Sequence, residues 1–244
     1  MLDVRGQVAV VTGGARRLGA AITQALAAAG CNVVVNYQRS AAAAQATVAA
    51  AAACGVRAIA VHGDVTRGDD VARLLETTLA TFGRADILVA NAGVFRRTPV
   101  ATLTEADFDA MLNGNLRATF LCAHRFGLHM QAAGAGTIVA LADVAGIRPW
   151  ADYLPYSIAK AGVIALTRGL AKALAPTVRV NAIAPGPVLF PDDYDPALRE
   201  RELARTLLRR EGNAQHIAEA ALALIRNDYI TGVVLPVDGG RVLS

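Results

Sequence analysis

Short apolar runs alternate with longer helical patterns along the whole chain. Runs of four to six apolar residues predict strands buried on both faces, and apolar residues three and four apart predict amphipathic helices. The predicted strands are 7–12, 32–36, 57–62, 87–90, 137–142, 178–183 and 233–237. The predicted helices are 18–29, 40–54, 71–82, 108–132, 153–174 and 216–225. We therefore expect an α/β fold, a doubly wound parallel sheet built from right-handed βαβ units.

The domain organisation follows from the same pattern. The 244 residues contain no linker, composition break or solenoid repeat, so we expect a single domain over 1–244. The least regular segment follows the sixth predicted strand and carries Pro185, Pro187, Pro191 and Pro196. Loops beyond the carboxyl ends of parallel strands build ligand sites. Residues from about 185 to 212 are therefore predicted to form a lid over the substrate.

Composition and charge exclude several classes of protein. The net charge is +4 and the arginines occur in scattered pairs, which argues against nucleic-acid binding. Three distant cysteines and four histidines without ligand spacing predict neither disulfides nor a metal site. The first residues do not resemble a signal peptide, and no apolar run reaches the length of a membrane span. We expect a cytoplasmic protein that does not associate with membranes.

A glycine-rich turn joins the first predicted strand to the first predicted helix. It contains Gly13, Gly14 and Gly19, with Arg17 and Leu18 at the start of the helix. Glycine lets the backbone approach a pyrophosphate, and the helix N-terminus adds N–H donors and the positive end of its dipole. This position predicts a dinucleotide site in a Rossmann-type fold. An ordinary tight turn is the alternative.

The end of the second strand indicates which nicotinamide cofactor binds. A carboxylate there would hold a ribose 2′-hydroxyl, whereas an arginine accepts a 2′-phosphate. The segment Asn36-Tyr37-Gln38-Arg39-Ser40 has no acidic residue, and both Arg39 and Ser40 can bind a phosphate. The sequence therefore favours NADP(H) over NAD(H). The alternative for Arg39 is a solvated loop position.

Two later segments follow strands and face the same predicted edge. Asp64 and Val65 come after the third strand, where a carboxylate can accept the adenine amino group or cap the next helix. Asn91, Ala92 and Gly93 come after the fourth strand and are expected to pass beneath the ribose.

The clearest catalytic pattern is Tyr156 with Lys160. Residues four apart lie on one face of a helix, so the ammonium and the phenol are neighbours. A nearby ammonium favours the phenolate, and we expect it to lower the pKa of Tyr156. Such a tyrosine suits general acid–base chemistry on a carbonyl or imine.

In this order, over essentially all 244 residues, these motifs resemble the short-chain dehydrogenase/reductase family. The resemblance implies a catalytic set that includes Asn115, Tyr156 and Lys160. It also implies a cofactor-side turn formed by Pro185, Gly186 and Val188. It further implies a homotetramer in which the long helices pack across a two-fold axis. The small residues that would permit close approach are Ala118, Ala123, Ala161, Gly162, Ala165 and Gly169.

Two departures from the usual family pattern resemble the pteridine reductase subgroup. Asp143 stands thirteen residues before Tyr156, where the family normally has serine, and Arg17 replaces a glycine of the turn. Residues 36–42 resemble the NADPH-selecting stretch of that subgroup, which places Tyr37 at the cofactor. The subgroup implies reduction of a pterin- or folate-like C=N heterocycle. The substrate-binding residues would be Arg17, Phe95, Asp143, Tyr153 and Tyr156.

Alternatives remain open for residues and for function. Phe95 could be core or interface packing, and Asp143 could cap a helix or form a salt bridge. An ionised Asp143 would raise the pKa of Tyr156 and oppose Lys160, so the protonation of these coupled groups stays open. A general ketoreductase, for example one acting on 3-oxoacyl groups of acyl carrier protein, is a second function, although its serine is absent. A cofactor-binding sensor without turnover is a third, and Asn115, Tyr156 and Lys160 argue against it.

Overall fold

The computed structural model describes residues 1–190 and 194–244, so positions 191–193 of the expected lid lie outside the described residues. Within them, one parallel sheet has the strand order β3-β2-β1-β4-β5-β6-β7, which confirms the predicted α/β fold. The strands are β1 (Val8–Val11), β2 (Asn32–Tyr37), β3 (Ala58–His62), β4 (Ile87–Ala90), β5 (Gly136–Leu141), β6 (Val178–Pro185) and β7 (Val234–Val237).

Helices cover both faces of the sheet. They are α1 (Arg17–Ala28), α2 (Ala41–Ala52), α3 (Gly68–Phe82), α4 (Glu105–Met111), α5 (Ala118–Ala132), α6 (Leu154–Ala173), α7 (Pro196–Ala204) and α8 (Ala214–Arg226). None of the helices in the described ranges is long and apolar enough to cross a bilayer.

Alternate residues of the strands pack into two separate cores. On one face Val10 packs in a cluster with Phe126 of α5. On the other face Val11 packs in a cluster with Ile22 of α1 and Leu224 of α8. All five of these side chains are buried, at 2% exposure or less. Because both faces are covered, the strands consist of continuous apolar runs, as the sequence indicated.

The predicted helix over 108–132 is interrupted in the structure. A π-helical segment, Leu112–Arg117, separates α4 from α5. Inside it, Asn115 Nδ2 donates to the carbonyl oxygen of Met111 at 2.9 Å, four residues earlier. Single π-helical turns within helices are often found at functional sites. The sequence analysis did not predict this interruption.

The expected lid contains a helix that the sequence analysis did not predict. Helix α7 begins at Pro196, and the side chain of Asp195 accepts a hydrogen bond from Ala197 N at 2.8 Å. An acidic N-cap followed by proline at the first helical position is a recognised start signal. The prolines were interpreted only as marks of irregular structure, although Asp195-Pro196 was the signal that could have predicted this helix.

The strand order creates the site. Strands β1 and β4 are neighbours in the sheet. The chain passes from β1 to β2 on one side and from β4 to β5 on the other, so the two connections run in opposite directions. Ligands of open parallel sheets bind at the carboxyl ends of the strands, in the crevice at this point.

Candidate active site

A large cleft of about 1340 Å³ lies along this edge of the sheet. It is larger than a pocket for one drug-sized ligand and therefore has room for a dinucleotide and a substrate together. Every residue that the sequence analysis assigned to the site lines it. These are Gly13, Arg17, Leu18, Gly19, Tyr37, Arg39, Ser40, Asp64, Val65, Asn91, Ala92, Gly93, Phe95, Asn115, Asp143, Tyr153, Tyr156, Lys160, Pro185, Gly186 and Val188.

The glycine-rich turn has the geometry of a phosphate cradle. Gly13 has a φ of +59°, and a Cβ at Gly19 would collide with the carbonyl oxygen of Gly13. Helix α1 then begins with Arg16 as its N-cap, and within the described residues this side chain makes no capping hydrogen bond. The first-turn N–H groups of α1 are therefore available to a phosphate, which carries the acceptor oxygens they require.

Asn36, which the sequence analysis did not assign to the site, supports this turn. Its Oδ1 accepts a hydrogen bond from Gly13 N at 3.3 Å, and its Nδ2 donates to the carbonyl oxygen of Gly63 at 3.1 Å. Asn36 is 2% exposed. A polar residue in a run of buried valines was the signal that could have identified this role.

Thr12 ties the turn to the end of β4. Its Oγ1 accepts hydrogen bonds from the backbone N–H groups of Asn91 and Ala92, both at 3.0 Å. The side chain of Asn91 donates in return to the carbonyl oxygen of Thr12 at 2.9 Å. These bonds fix the relative positions of the two segments expected to hold the pyrophosphate and the ribose.

The end of β2 fits a 2′-phosphate. Arg39 is exposed at the cleft, and Ser40 is the N-cap residue of α2. In the part of the chain that the structure describes, the Ser40 hydroxyl makes no capping hydrogen bond, so it remains available to a ligand. Tyr37 packs edge-on against His62, with ring centroids 5.5 Å apart. A cation, a hydroxyl and a helix N-terminus at one point match the requirements of a phosphate group.

Asp64 has a local structural role. Its Oδ1 accepts hydrogen bonds from Thr66 N at 2.9 Å and from Thr66 Oγ1 at 2.7 Å. These bonds shape the turn before α3. The helix begins at Gly68, two residues after Thr66, so Asp64 does not cap it directly. It also lines the cleft, which leaves the proposed contact with adenine open.

Tyr156, Lys160 and Asp143 form the polar centre of the cleft. The Tyr156 hydroxyl donates to Oδ2 of Asp143 at 2.9 Å. Lys160 Nζ donates to the carbonyl oxygen of Leu141 at 2.7 Å and lies 5.6 Å from the centroid of the Tyr156 ring. The other carboxylate oxygen of Asp143 accepts from Ala145 N at 2.8 Å. Asp143 therefore caps a short 3₁₀ turn and also holds the candidate catalytic tyrosine.

Burial governs the protonation of these three groups. It raises the pKa of Asp143 to about 6, against the opposing effects of Ala145 N–H, Lys160 and the Tyr156 hydroxyl. Burial lowers the pKa of Lys160 to about 8. Burial, together with the charge and hydrogen bond of Asp143, raises the pKa of Tyr156. Two opposing effects were expected on the pKa of Tyr156, lowering by Lys160 and raising by an ionised Asp143. The pKa is raised, because burial adds to the effect of the carboxylate, which contacts the phenol directly.

Asn115 holds the loop after β4 in place. Its Nδ2 donates to the carbonyl oxygen of Val94 at 3.0 Å, and its Oδ1 accepts from Val94 N at 3.2 Å. A Cβ at Gly93 would lie 2.8 Å from the same Oδ1. The side chain of Asn115 therefore leaves no room for a side chain at position 93, beside the cleft.

Aromatic side chains occupy the substrate end of the cleft. Phe95 and Tyr153 are stacked, with ring centroids 4.7 Å apart and planes at 8°. Tyr156 meets Phe95 edge-on at 5.0 Å. Phe95 is 46% exposed, so it is neither core packing nor covered within this subunit.

Several lining residues come from the predicted lid over 185–212 and from the C-terminal segment, and the sequence analysis named none of them individually as site residues. Arg17 Nη2 donates to the carbonyl oxygen of Leu189, which links the cofactor turn to the segment after β6. The C-terminal segment also reaches the cleft. The unassigned lining residues from these two regions include Phe190, Tyr194, Leu198, Arg201, Glu202, Arg241 and Ser244. Their side chains reach the cleft only through tertiary packing.

In the described ranges, no group of three or more His, Cys, Asp or Glu side chains could hold a metal ion.

Comparison with known proteins identifies the family. A family model described as Enoyl-(Acyl carrier protein) reductase matches residues 13–241. A 3-oxoacyl-[acyl-carrier-protein] reductase of Synechocystis sp. is 40% identical, with 100% of both chains covered. This chain belongs to the short-chain dehydrogenase/reductase family. A second 3-oxoacyl-[acyl-carrier-protein] reductase, from Staphylococcus epidermidis, is 34% identical over 96% of this chain and 98% of its own length.

A solved structure supports the cofactor. A short-chain dehydrogenase from Burkholderia cenocepacia in complex with NADP superposes with a TM-score of 0.92 at 35% identity, covering 98% of this chain and 99% of that one. The protein is an NADP-dependent short-chain reductase, and its cofactor is NADP(H). The phosphate-binding features at Gly13, Arg39 and Ser40 fit this cofactor.

The expectation of a pterin substrate was wrong. The curated relatives described above are 3-oxoacyl reductases, and they support the ketoreductase alternative. The two residues that suggested pteridine reductases have local structural roles here. Arg17 bonds to Leu189, and Asp143 caps a turn and holds Tyr156. Because both side chains bond to groups of the protein itself, the two residue types do not by themselves indicate a pterin.

Proposed function

We propose that this reductase acts on the keto group of a 3-oxoacyl thioester, with NADPH as reductant and Tyr156 as proton donor. The observation that carries the proposal is the position of the Tyr156 hydroxyl. It lies in the cofactor cleft, with Lys160 and Asp143 beside it. The 3-oxoacyl reductases among the relatives supply the substrate class.

The cofactor and the site residues each supply a different part of carbonyl reduction. Bound NADPH supplies the hydride that the carbonyl carbon accepts. Tyr156 donates its proton to the carbonyl oxygen, so that the C=O bond becomes a C–OH group. A tyrosine with a raised pKa remains protonated at neutral pH, so the proton is present, although the same shift makes the phenol a weaker acid. Lys160, held by Leu141, places a positive charge near the phenolate left behind.

Asp143 stands at the position where most family members have a serine. A serine donates a hydrogen bond to the carbonyl oxygen as negative charge develops there. A protonated carboxyl group can donate in the same way, and burial raises the pKa of Asp143 to about 6. Asp143 therefore acts as a donor when it is protonated and opposes the reaction when it is ionised.

The remaining assignments are part of the same proposal. Residues assigned to the cofactor bind NADP(H), and residues 185–212 form a lid within one domain. We also propose a cytoplasmic homotetramer. Of the small residues expected at the interface, Ala118 and Ala123 are buried within the subunit at 2% exposure and are therefore not interface residues. Exposed apolar side chains on α5 and α6, Phe120 and Ile158, are candidates instead.

The decisive experiment measures NADPH consumption with three thioesters of N-acetylcysteamine. Acetoacetyl thioester tests keto reduction. Crotonyl thioester tests enoyl reduction, the activity named in the family description. Butyryl thioester is the unreactive control. We expect oxidation of NADPH with acetoacetyl thioester alone, and turnover of the crotonyl thioester alone would contradict the proposal.

A further inference from the structure

The aromatic residues of this chain are unevenly distributed. The sequence contains six Phe, five Tyr and one Trp. Six of these twelve side chains line the substrate end of the cleft: Phe95, Trp150, Tyr153, Tyr156, Phe190 and Tyr194. Among the described residues, Phe126 is the one aromatic in the set of largest fully buried side chains, the rest being aliphatic. Tyr156, Trp150 and Tyr153 pack in a small cluster with Met111 and Ala145. Among the described residues, Phe95, Phe190 and Tyr194 belong to none of the core clusters, so core packing does not account for these three.

Four of the six form one continuous cluster around Phe95. The Tyr153 ring stacks on it at 4.7 Å, and Tyr156 and Trp150 approach it edge-on at 5.0 Å and 6.4 Å. Trp150 also meets Tyr153 edge-on at 5.7 Å. Because Phe95 remains 46% exposed, the cluster presents aromatic surface to the cleft directly beside the candidate proton donor.

The other two belong to the segment after β6. The rings of Phe190 and Tyr194 lie 4.8 Å apart, and the guanidinium of Arg199 lies 5.7 Å from the Phe190 centroid. Leu189, next to Phe190, is bonded to Arg17 of the cofactor turn. This second aromatic pair is therefore tied to the same cleft by a hydrogen bond.

Aromatic surface of this kind distinguishes ligands by their unsaturation. Flat rings gain from offset stacking and from edge-to-face contacts, beyond what the buried area alone provides. A saturated acyl chain or ring buries similar area but lacks the quadrupole that makes these contacts favourable. A protein that selected only for apolar acyl chains could line the cleft with Leu, Ile and Val, as this chain lines its core.

We propose that the ketone substrate carries an aromatic ring close to the reacting carbonyl, and that the Phe95 cluster binds this ring. The proposal rests on the keto reduction proposed above and names its substrate class. The carbonyl oxygen faces Tyr156 while the ring contacts Phe95, because these two side chains are in direct contact.

The test uses two thioesters that differ only in unsaturation. In the 3-oxo-4-phenylbutanoyl and 3-oxo-4-cyclohexylbutanoyl thioesters of N-acetylcysteamine, one CH₂ separates the ring from the ketone. The carbonyl groups are therefore nearly equal in reactivity, and the rings are similar in size. We expect kcat/KM for the phenyl compound to be about 10-fold higher, which is the upper range for one aromatic pair. Equal values, or a preference for cyclohexyl, would overturn the proposal.

Two variants locate the effect. Phe95→Leu should reduce the phenyl-to-cyclohexyl ratio to about one. Phe82→Leu is the matched control, because Phe82 lies at the end of α3 under Arg57 and does not line the cleft. The control should keep the ratio of the unmodified protein. An unchanged ratio in Phe95→Leu would show that the cluster does not bind the ring.

Binding can be measured independently of turnover. Trp150 is the single tryptophan of the sequence and belongs to the cluster, so its fluorescence reports occupancy of the cleft. The two ketones are titrated into the complex with NADP⁺. If neither is reduced but the phenyl compound binds about 10-fold more tightly, the reaction assigned above fails while the aromatic site stands. If both are reduced with equal efficiency and bind equally, the aromatic site fails while keto reduction stands.

Discussion

The hydroxyl of Tyr156 donates its hydrogen bond to Oδ2 of Asp143 at 2.9 Å, which joins the first turn of α6 to the loop after β5. In this arrangement the proton that reduction requires points to a carboxylate. Protonation of Asp143 removes the competing negative charge and converts it from an acceptor into a donor. Under the mechanism proposed above, the pair therefore couples the activity of this reductase to pH.

Substitution of Tyr156 by phenylalanine removes the proton donor and leaves the ring in place. We expect kcat to fall by about 10²–10⁴-fold, the usual contribution of general acid catalysis, while NADPH still binds. Steady-state kinetics and a fluorescence titration with NADPH measure the two effects. Tyr229→Phe is the control, since Tyr229 is 98% exposed and lies outside the cleft. Activity above one tenth of the original would exclude this role for Tyr156.

The pH profile of ketone reduction should depend on Asp143. Its pKa is raised to about 6, so the unmodified enzyme should become faster as the pH falls from about 8 to 6. In Asp143→Ser a hydroxyl donor is present at every pH, so we expect a smaller slope, with the part due to Lys160, whose pKa is about 8, remaining. Near pH 8 the variant should be at least as fast as the unmodified enzyme and at most about 100-fold faster, the worth of one oxyanion donor. Asp143→Ala, which lacks a donor, should be slow throughout, and a profile shared by all three proteins would contradict the assignment.

Asp143 should also make folding stability depend on pH. Its pKa is 3.8 in the unfolded chain and about 6 in the fold, so the folded state binds more protons between these values. The free energy of unfolding should therefore fall as the pH rises through this window, by about 3 kcal/mol from this group. Urea unfolding at several pH values measures this difference. The slope should be smaller in Asp143→Ser and retained in Tyr229→Phe; equal slopes in both would show that the carboxyl group is not destabilised by burial.

Arg39 should determine the choice between the two nicotinamide cofactors. Its guanidinium is exposed at the end of β2, next to the uncommitted hydroxyl of Ser40. Arg39→Ala should raise KM for NADPH about 10-fold or more and change KM for NADH little, because charge-assisted bonds to phosphate are among the strong ones. Arg57→Ala is the control, since Arg57 lies just before the first residue of β3, at the opposite end of the strands from the cleft, which it does not line. A similar rise for both cofactors would indicate that Arg39 does not bind the 2′-phosphate.

The homotetramer can be tested through the apolar side chains left exposed on two helices. Phe120 of α5 and Ile158 of α6 are both 42% exposed. If they are buried between subunits, a charge at either position should prevent association. Light scattering should give the mass of four chains for the unmodified protein and a smaller mass for Phe120→Asp and Ile158→Asp. A monomeric mass for the unmodified protein at micromolar concentration would contradict the tetramer.

Much of the fold could be predicted from the sequence because buried parallel strands consist of continuous apolar runs. The predicted strand at 87–90 and the observed β4 have the same bounds, and the helix predicted over 153–174 differs from α6 by one residue at each end. Contrasts in local chemistry also predicted a cofactor site. Glycines in a strand-to-helix turn and an arginine without a neighbouring acid indicate their ligands without any knowledge of the packing.

The sequence by itself determined which residues can do chemistry, because residue type and spacing along a strand or helix are local properties. Tyr156 and Lys160 share a helix face through their spacing alone. Only the tertiary structure decided which groups touch. It placed Asp143 against the hydroxyl of Tyr156 and brought Leu189 to Arg17 across 172 positions of the chain. The pKa values of the site depend on burial and on such distant contacts, and neither is encoded in a local pattern, which is why the sequence left open whether Lys160 or Asp143 governs the pKa of Tyr156.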